Sequence, residues 1–257
     1  MRSESNPFKA PVARVYDHVE NFMGSFIPEG RRVPAGNGYQ WLLRGWEMFR
    51  TAPGTWIGIS VAFVALMMVV SIIPVVNLAV NLLIPVFIGG IAIGCRAIED
   101  GGGIRFEHLF AGFSHQLGGL LLVGLLYLLA ILVVVAGFGI VVAVGAVGAL
   151  GSGGAEGTVS LMIIVGAVVM IVVFVALAMA VWLAPPLVVF HQVSAFQAIK
   201  TSFVVSLRNS APFLVYGLLV LLASIVASLP LLLGWLVLLP VLYASLYACY
   251  RDLFFDE

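Results

Sequence analysis

Six apolar runs, at about 54–73, 75–95, 116–149, 158–184, 211–229 and 231–250, constrain this 257-residue chain more than any other feature. None contains an Asp, Glu, Lys, Arg or His. A helix of about 20 apolar residues matches the roughly 30 Å hydrocarbon core of a bilayer. Lipid supplies no hydrogen-bond partners, so a spanning segment must satisfy its own backbone, as a helix does. Only 9% of the residues are charged, whereas a soluble domain needs about a quarter to keep its surface solvated. The expected fold class is therefore an all-α integral membrane protein with six transmembrane helices. The formal net charge is zero, and nothing in the chain indicates a nucleic-acid partner.

The basic residues orient these spans. Seven of the twelve Lys and Arg precede the first run (Arg2, Lys9, Arg14, Arg31, Arg32, Arg44, Arg50). Arg96 and Arg105 lie in the second connection, Lys200 and Arg208 in the fourth, and Arg251 in the C-terminal tail. The first, third and fifth connections have none. Cytoplasmic segments collect Lys and Arg, so both termini are expected in the cytoplasm, with no secretory signal at the start. The same rule keeps 116–149 as one span, because splitting it would strand basic clusters on the wrong side. At 1.5 Å per residue that run is about 51 Å long, so the second hairpin should tilt strongly or project beyond the outer interface.

Residues 1–36 are rich in Pro and Gly and read as a flexible cytoplasmic tail, ahead of a six-span membrane domain over 37–257. Short breaks at Pro74, "GSGGAEG" (151–157) and Pro230 pair the spans into three hairpins. Each hairpin is preceded by a short amphipathic segment: Leu42, Trp46 and Phe49 with Gly45; Phe106, Leu109, Phe110 and Phe113; Phe196, Ile199, Phe203 and Leu207. Such stripes with basic or polar residues opposite suit helices lying in the cytoplasmic interface. Pro53 and Pro212 then suit the first turn of the next span, where a missing N–H costs little. The layout is a threefold internal repeat, at about 39–98, 104–184 and 194–250.

Few residues point to chemistry. Asn77 and Asn81, four apart in the second span, form a polar intramembrane face. They either line a path or hold helices together by hydrogen bonds worth about 0.6–2 kcal/mol each. Gly90 and Gly94 form a close-packing step on the same helix. His108, His115, His191, Cys95, Cys249, Glu99, Asp100 and Glu107 all fall near the cytoplasmic interface, but no HxxxH or CxxC spacing supports a metal site. No nucleophile elbow or phosphate loop is present and no acid lies within the six runs, so neither an enzyme nor a cofactor is expected. Cys95 and Cys249 read as free thiols on the reducing side. Arg44, Arg50, Arg105, Lys200 and Arg208 would sit at headgroup depth, where each can gain about 1 kcal/mol from anionic lipid.

The segments "NPFKAP", "VPAGNGYQWLLRGWEMFRTAPGTWIG" and "WLAPPLVVFH…AIKTSFVVSLRNSAPF" resemble an uncharacterised family of six-span proteobacterial inner-membrane proteins. In layout that family is similar to the membrane domain of some bacterial glycerophosphodiester phosphodiesterases. These residues hold no phosphodiesterase domain, so that activity is not implied. The resemblance implies the bacterial inner membrane and no assigned reaction. The expected function is a lipid-interacting accessory or scaffold protein. The expected partners are anionic membrane lipids, with other membrane proteins or a second copy of the chain as further candidates. The alternative is a transporter or channel for an apolar or amphipathic solute, and last comes an intramembrane enzyme.

Overall fold

The computed structural model describes residues 24–72, 74–151 and 156–256, with side chains at 71, 74–79, 81, 148–151, 156–160 and 162 left aside. It is all-helical, with 83% of residues in helix. In chain order the helices are α1 (Asn37–Thr51), α2 (Pro53–Ser71), α3 (Pro74–Glu99), a 3₁₀ turn (Phe106–Phe110) running into the single turn α4 (Ala111–Ser114), α5 (Leu117–Gly151), α6 (Glu156–Trp182), α7 (Ala184–His191), α8 (Ala195–Arg208), α9 (Ser210–Ser228) and α10 (Trp235–Phe254). Six segments are long and apolar enough to cross a membrane, in α2, α3, α5, α6 with α7, α9 and α10.

Proline placement explains several helix boundaries. Pro53 opens α2, and Pro212 lies in the first turn of α9, where the absent N–H would have had no intrahelical partner. The break between α6 and α7 has a more specific cause. Pro185 and Pro186 follow it, and the Ser202 hydroxyl of α8 is inserted into the helical ladder. It accepts from the Leu183 N–H at 3.0 Å and donates to the Met179 carbonyl at 2.7 Å. A side chain inserted between an i and an i−4 group is an established cause of a kink, and here it satisfies both backbone groups that the kink would orphan. The fourth span therefore extends to His191, beyond the 184 read from hydropathy. α5 is unbroken over 35 residues, about 52 Å.

The three pre-span segments dock on helices from elsewhere in the chain. α1 lies beside α10: the Asn37 and Trp41 side chains reach Asp252, while Gly45 meets Val241 and Ser245. A Cβ on Gly45 would come within 2.6 Å of the Val241 carbonyl oxygen, so only glycine permits this approach. Segment 106–114 docks on α3, with Gly112 against the Val86 carbonyl and Gly90 against the His108 carbonyl and Gly112 N–H. α8 docks on α6 and α7 through Ser202 and Ser206.

These contacts divide the apolar stripes read from the sequence. The faces turned into the protein are built largely from small residues and a few rings: Gly38, Trp41, Gly45 and Phe49 on α1, and Ala195, Ala198, Ser202, Val205 and Ser206 on α8. Trp46, Phe106, Phe110, Phe196 and Leu207 are exposed. The middle stripe is not one continuous helix either, since His108, Leu109 and Gly112 turn inward while the phenylalanines point out.

Within the stretch read as a tail, residues 1–23 lie outside the described residues. Residues 24–36 run along the end of α10. Phe26 bridges Phe255, the Ile27 N–H donates to the Phe254 carbonyl at 2.8 Å, and the Arg31 N–H donates to the Leu253 carbonyl at 2.8 Å. The main buried core gathers near this end, around Trp41, Trp56, Cys95, Leu109, Leu183, Tyr247, Tyr250 and Phe254.

Candidate functional site

The aromatic run near the end of α10, "LYACYRDLFF", holds the densest polar arrangement among the described residues. Asp252 is only 3% exposed. Its carboxylate accepts from Arg31 Nη2 at 2.9 Å, Asn37 Nδ2 at 2.8 Å and Trp41 Nε1 at 2.6 Å. Arg31 Nε also donates to the Asp252 carbonyl at 2.6 Å. A buried carboxylate is tolerable only when paired and fully hydrogen-bonded, and here three side chains between Arg31 and Trp41 supply that.

Asn209 completes the clamp from the α8–α9 junction. It accepts from the Val33 N–H and donates to the Arg31 carbonyl, each at 3.0 Å. Alongside, the Tyr247 hydroxyl donates to Glu99 at 2.7 Å, and Arg251 pairs with Glu99 at 3.3 Å. Tyr250 and His191 share a 2.6 Å hydrogen bond, and Phe26 stacks on His191 with centroids 3.4 Å apart.

These groups satisfy one another and present no open acid, base and nucleophile set. The three described histidines have separate partners: His191 meets Tyr250, His108 accepts from the Arg105 N–H at 3.0 Å, and His115 contacts the Ala111 carbonyl. Burial, reinforced by Arg105, holds the His108 imidazole below its ordinary pKa, with Glu107 opposing. Among the described residues no three His, Cys, Asp or Glu gather as metal ligands. Cys95 and Cys249 are buried free thiols.

The five basic residues singled out from the sequence do not converge on one pocket. Arg50, Lys200 and Arg208 are exposed, each on a connecting helix. Arg105 is exposed and pairs with Glu107 at 2.8 Å. Arg44 is half-buried on α1. Asn77 and Asn81 fall on α3, and their side chains lie outside the described residues. Gly90 and Gly94, expected to pack closely, receive the 106–114 segment. Asp252, Asn209 and Ser202 escaped the sequence reading. Only Asp252 left a local trace, as an acid embedded in aromatic sequence.

Two open apolar grooves flank this assembly. One, of about 760 Å3, lies between α6 and α9 and includes Met179, Trp182, Ser210, Tyr216 and Gly217 in its walls. Its aromatic floor backs onto the Asp252 cluster, since Trp182 and Trp41 both pack against Tyr216. The other, of about 600 Å3, lies between α1, α9 and α10 and includes Tyr39, Leu42 and Trp46.

Fold and composition together define a multi-pass helical membrane protein. Over 253 residues the chain is 29% identical to a protein of Burkholderia thailandensis named "probable inner membrane protein", covering 86% of this chain and 92% of the relative. No family profile matches the chain, and no solved structure matches it.

Proposed function

We propose that this chain is a lipid-interacting accessory or scaffold protein of the bacterial inner membrane, with both termini cytoplasmic and no catalytic step of its own. The observation that carries the reading is the composition of the three connecting segments. Each sets exposed large apolar side chains beside a basic one: Trp46 near Arg50, Phe106 beside Arg105, and Phe196 and Leu207 near Lys200 and Arg208. Side chains of that kind bury their apolar parts at the bilayer boundary and keep charge at headgroup depth. The relative's printed name agrees with an inner-membrane location.

The threefold layout is supported by the order of docking. In each repeat the connecting segment packs on the second span of the preceding one: 106–114 on α3, α8 on α6, and α1 on α10. That order closes a ring in which Gly45, Gly112 and Ser202 occupy comparable contact positions.

The test is retention of anionic lipid. Changing Arg44, Arg50, Arg105, Lys200 and Arg208 together to Gln should strip phosphatidylglycerol and cardiolipin from purified protein while leaving the helices folded. Unchanged lipid retention by native mass spectrometry contradicts the reading. A second reading, a transporter or channel for an apolar or amphipathic solute, draws on the groove between α6 and α9. Solute flux in proteoliposomes would favour it.

A further inference from the structure

We propose that the groove between α6 and α9 is a binding site for a single anionic phospholipid, one acyl chain in the groove and the phosphate at its Arg208 end. This rests on the lipid-interacting reading above and assigns it a place. Helix α6 packs on α5 and α8, whereas α9 packs on α1 and α10, so the groove opens sideways between two candidate spans. Its volume of about 760 Å3 lies within the roughly 300–1,000 Å3 of small-molecule sites.

Three further features select the occupant. The walls are apolar along most of their length, from Val175 on α6 to Val220 on α9, as an acyl chain requires. Trp182 is part of that wall, and its indole N–H is buried with no acceptor among the described residues. An unmade buried donor is costly, and the ester or phosphate oxygens of a lipid are acceptors. Arg208 is exposed at the end of α8, two residues before Ser210 in the groove wall. It has no ion-pair partner among the described residues. A cation two residues along the chain from the wall of an apolar slot, together with an unmet donor in that wall, matches an anionic amphiphile, whereas a purely apolar solute would use only the walls.

Gly217 provides a clean way to fill the slot. It lies in the groove wall, and a Cβ built there meets nothing within 4 Å. Purified protein is incubated with equal amounts of dioleoyl phosphatidylglycerol and dioleoyl phosphatidylcholine, and the retained lipid is read by native mass spectrometry. The parent should hold one phosphatidylglycerol. Gly217→Trp should lower that occupancy at least tenfold, as should Ala178→Phe on the facing wall, with melting in lipid-free detergent unchanged. Arg208→Gln should still take up lipid but no longer distinguish the two headgroups.

A folded Gly217→Trp that keeps phosphatidylglycerol like the parent overturns the proposal. So does a parent dimer that becomes a monomer on Gly217→Trp, since the groove would then be an interface between copies. If the five-residue Gln variant loses anionic lipid while Gly217→Trp does not, lipid binding at the surface stands and the groove site fails. If neither loses it, both readings fail.

Discussion

Helices α10 and α5 are both candidate spans, yet 67% of the spanning window of α10 is buried within the protein and only 6% of that of α5. The difference follows composition in a sense opposite to that of a soluble protein. α5 is among the most apolar segments in the chain, and its Leu129, Leu132, Val133 and Val144 are exposed. α10 carries Ser245, Tyr247, Cys249, Tyr250 and Asp252, all buried. Hydrocarbon is as apolar as leucine, so burial between helices is driven by close packing and hydrogen bonding rather than by escape from solvent. The less apolar helix therefore becomes the central pillar, and the most apolar ones are left to face lipid.

The comparison is broken most severely at Asp252. Its replacement by Ala leaves Arg31, Asn37 and Trp41 without their common acceptor. Removing one partner of a buried ion pair costs about 3–5 kcal/mol, and that loss should appear as a large fall in detergent melting temperature. A substitution of Val144 to Ala on α5 should scarcely move it, because that side chain is two-thirds exposed.

Glycines give a matched pair of smaller effect. A Cβ on Gly112 would collide with the Val86 carbonyl, whereas Gly137 on α5 has open space. Gly112→Ala should destabilise by about 1–3 kcal/mol through overpacking. Gly137→Ala should be neutral or gain up to about 1 kcal/mol from helix propensity. Thermal unfolding of both variants under one detergent condition checks the sign of each.

The six spans were legible because bilayer thickness and backbone hydrogen bonding leave a long apolar run little choice. The glycine step at Gly90 and Gly94 was legible as close packing for similar reasons. The polar cluster was not. Arg31 and Asp252 lie 221 residues apart, and no local pattern ties a Pro- and Gly-rich leader to the end of the last helix. Ser202 was hidden in the same way, since its role depends on a break in α6–α7 that prolines mark but do not locate. On the connecting segments, periodicity alone could not tell the face turned to small-residue contacts from the one left exposed.

His108 provides the mildest perturbation of the packed region. Its folded pKa lies below the ordinary 6.5 because of burial, then Arg105. Below pH 6.5 the unfolded chain binds that proton more readily, so stability present at neutral pH should be lost as pH falls through the lowered folded value and level off beneath it. His108→Asn should flatten that part of a melting-temperature profile, while the profile above pH 7 keeps its shape.

The central claim is that the exposed apolar faces of the spans lie against hydrocarbon while the polar end is packed on itself. Because Cys95 and Cys249 are buried, single cysteines introduced at Ile171 and Leu221, both exposed, can carry nitroxide labels with little background. In liposomes, power-saturation electron paramagnetic resonance should show both labels readily relaxed by oxygen and poorly by a water-soluble nickel complex. Strong relaxation by the nickel complex at either position, or by neither agent, would contradict the account.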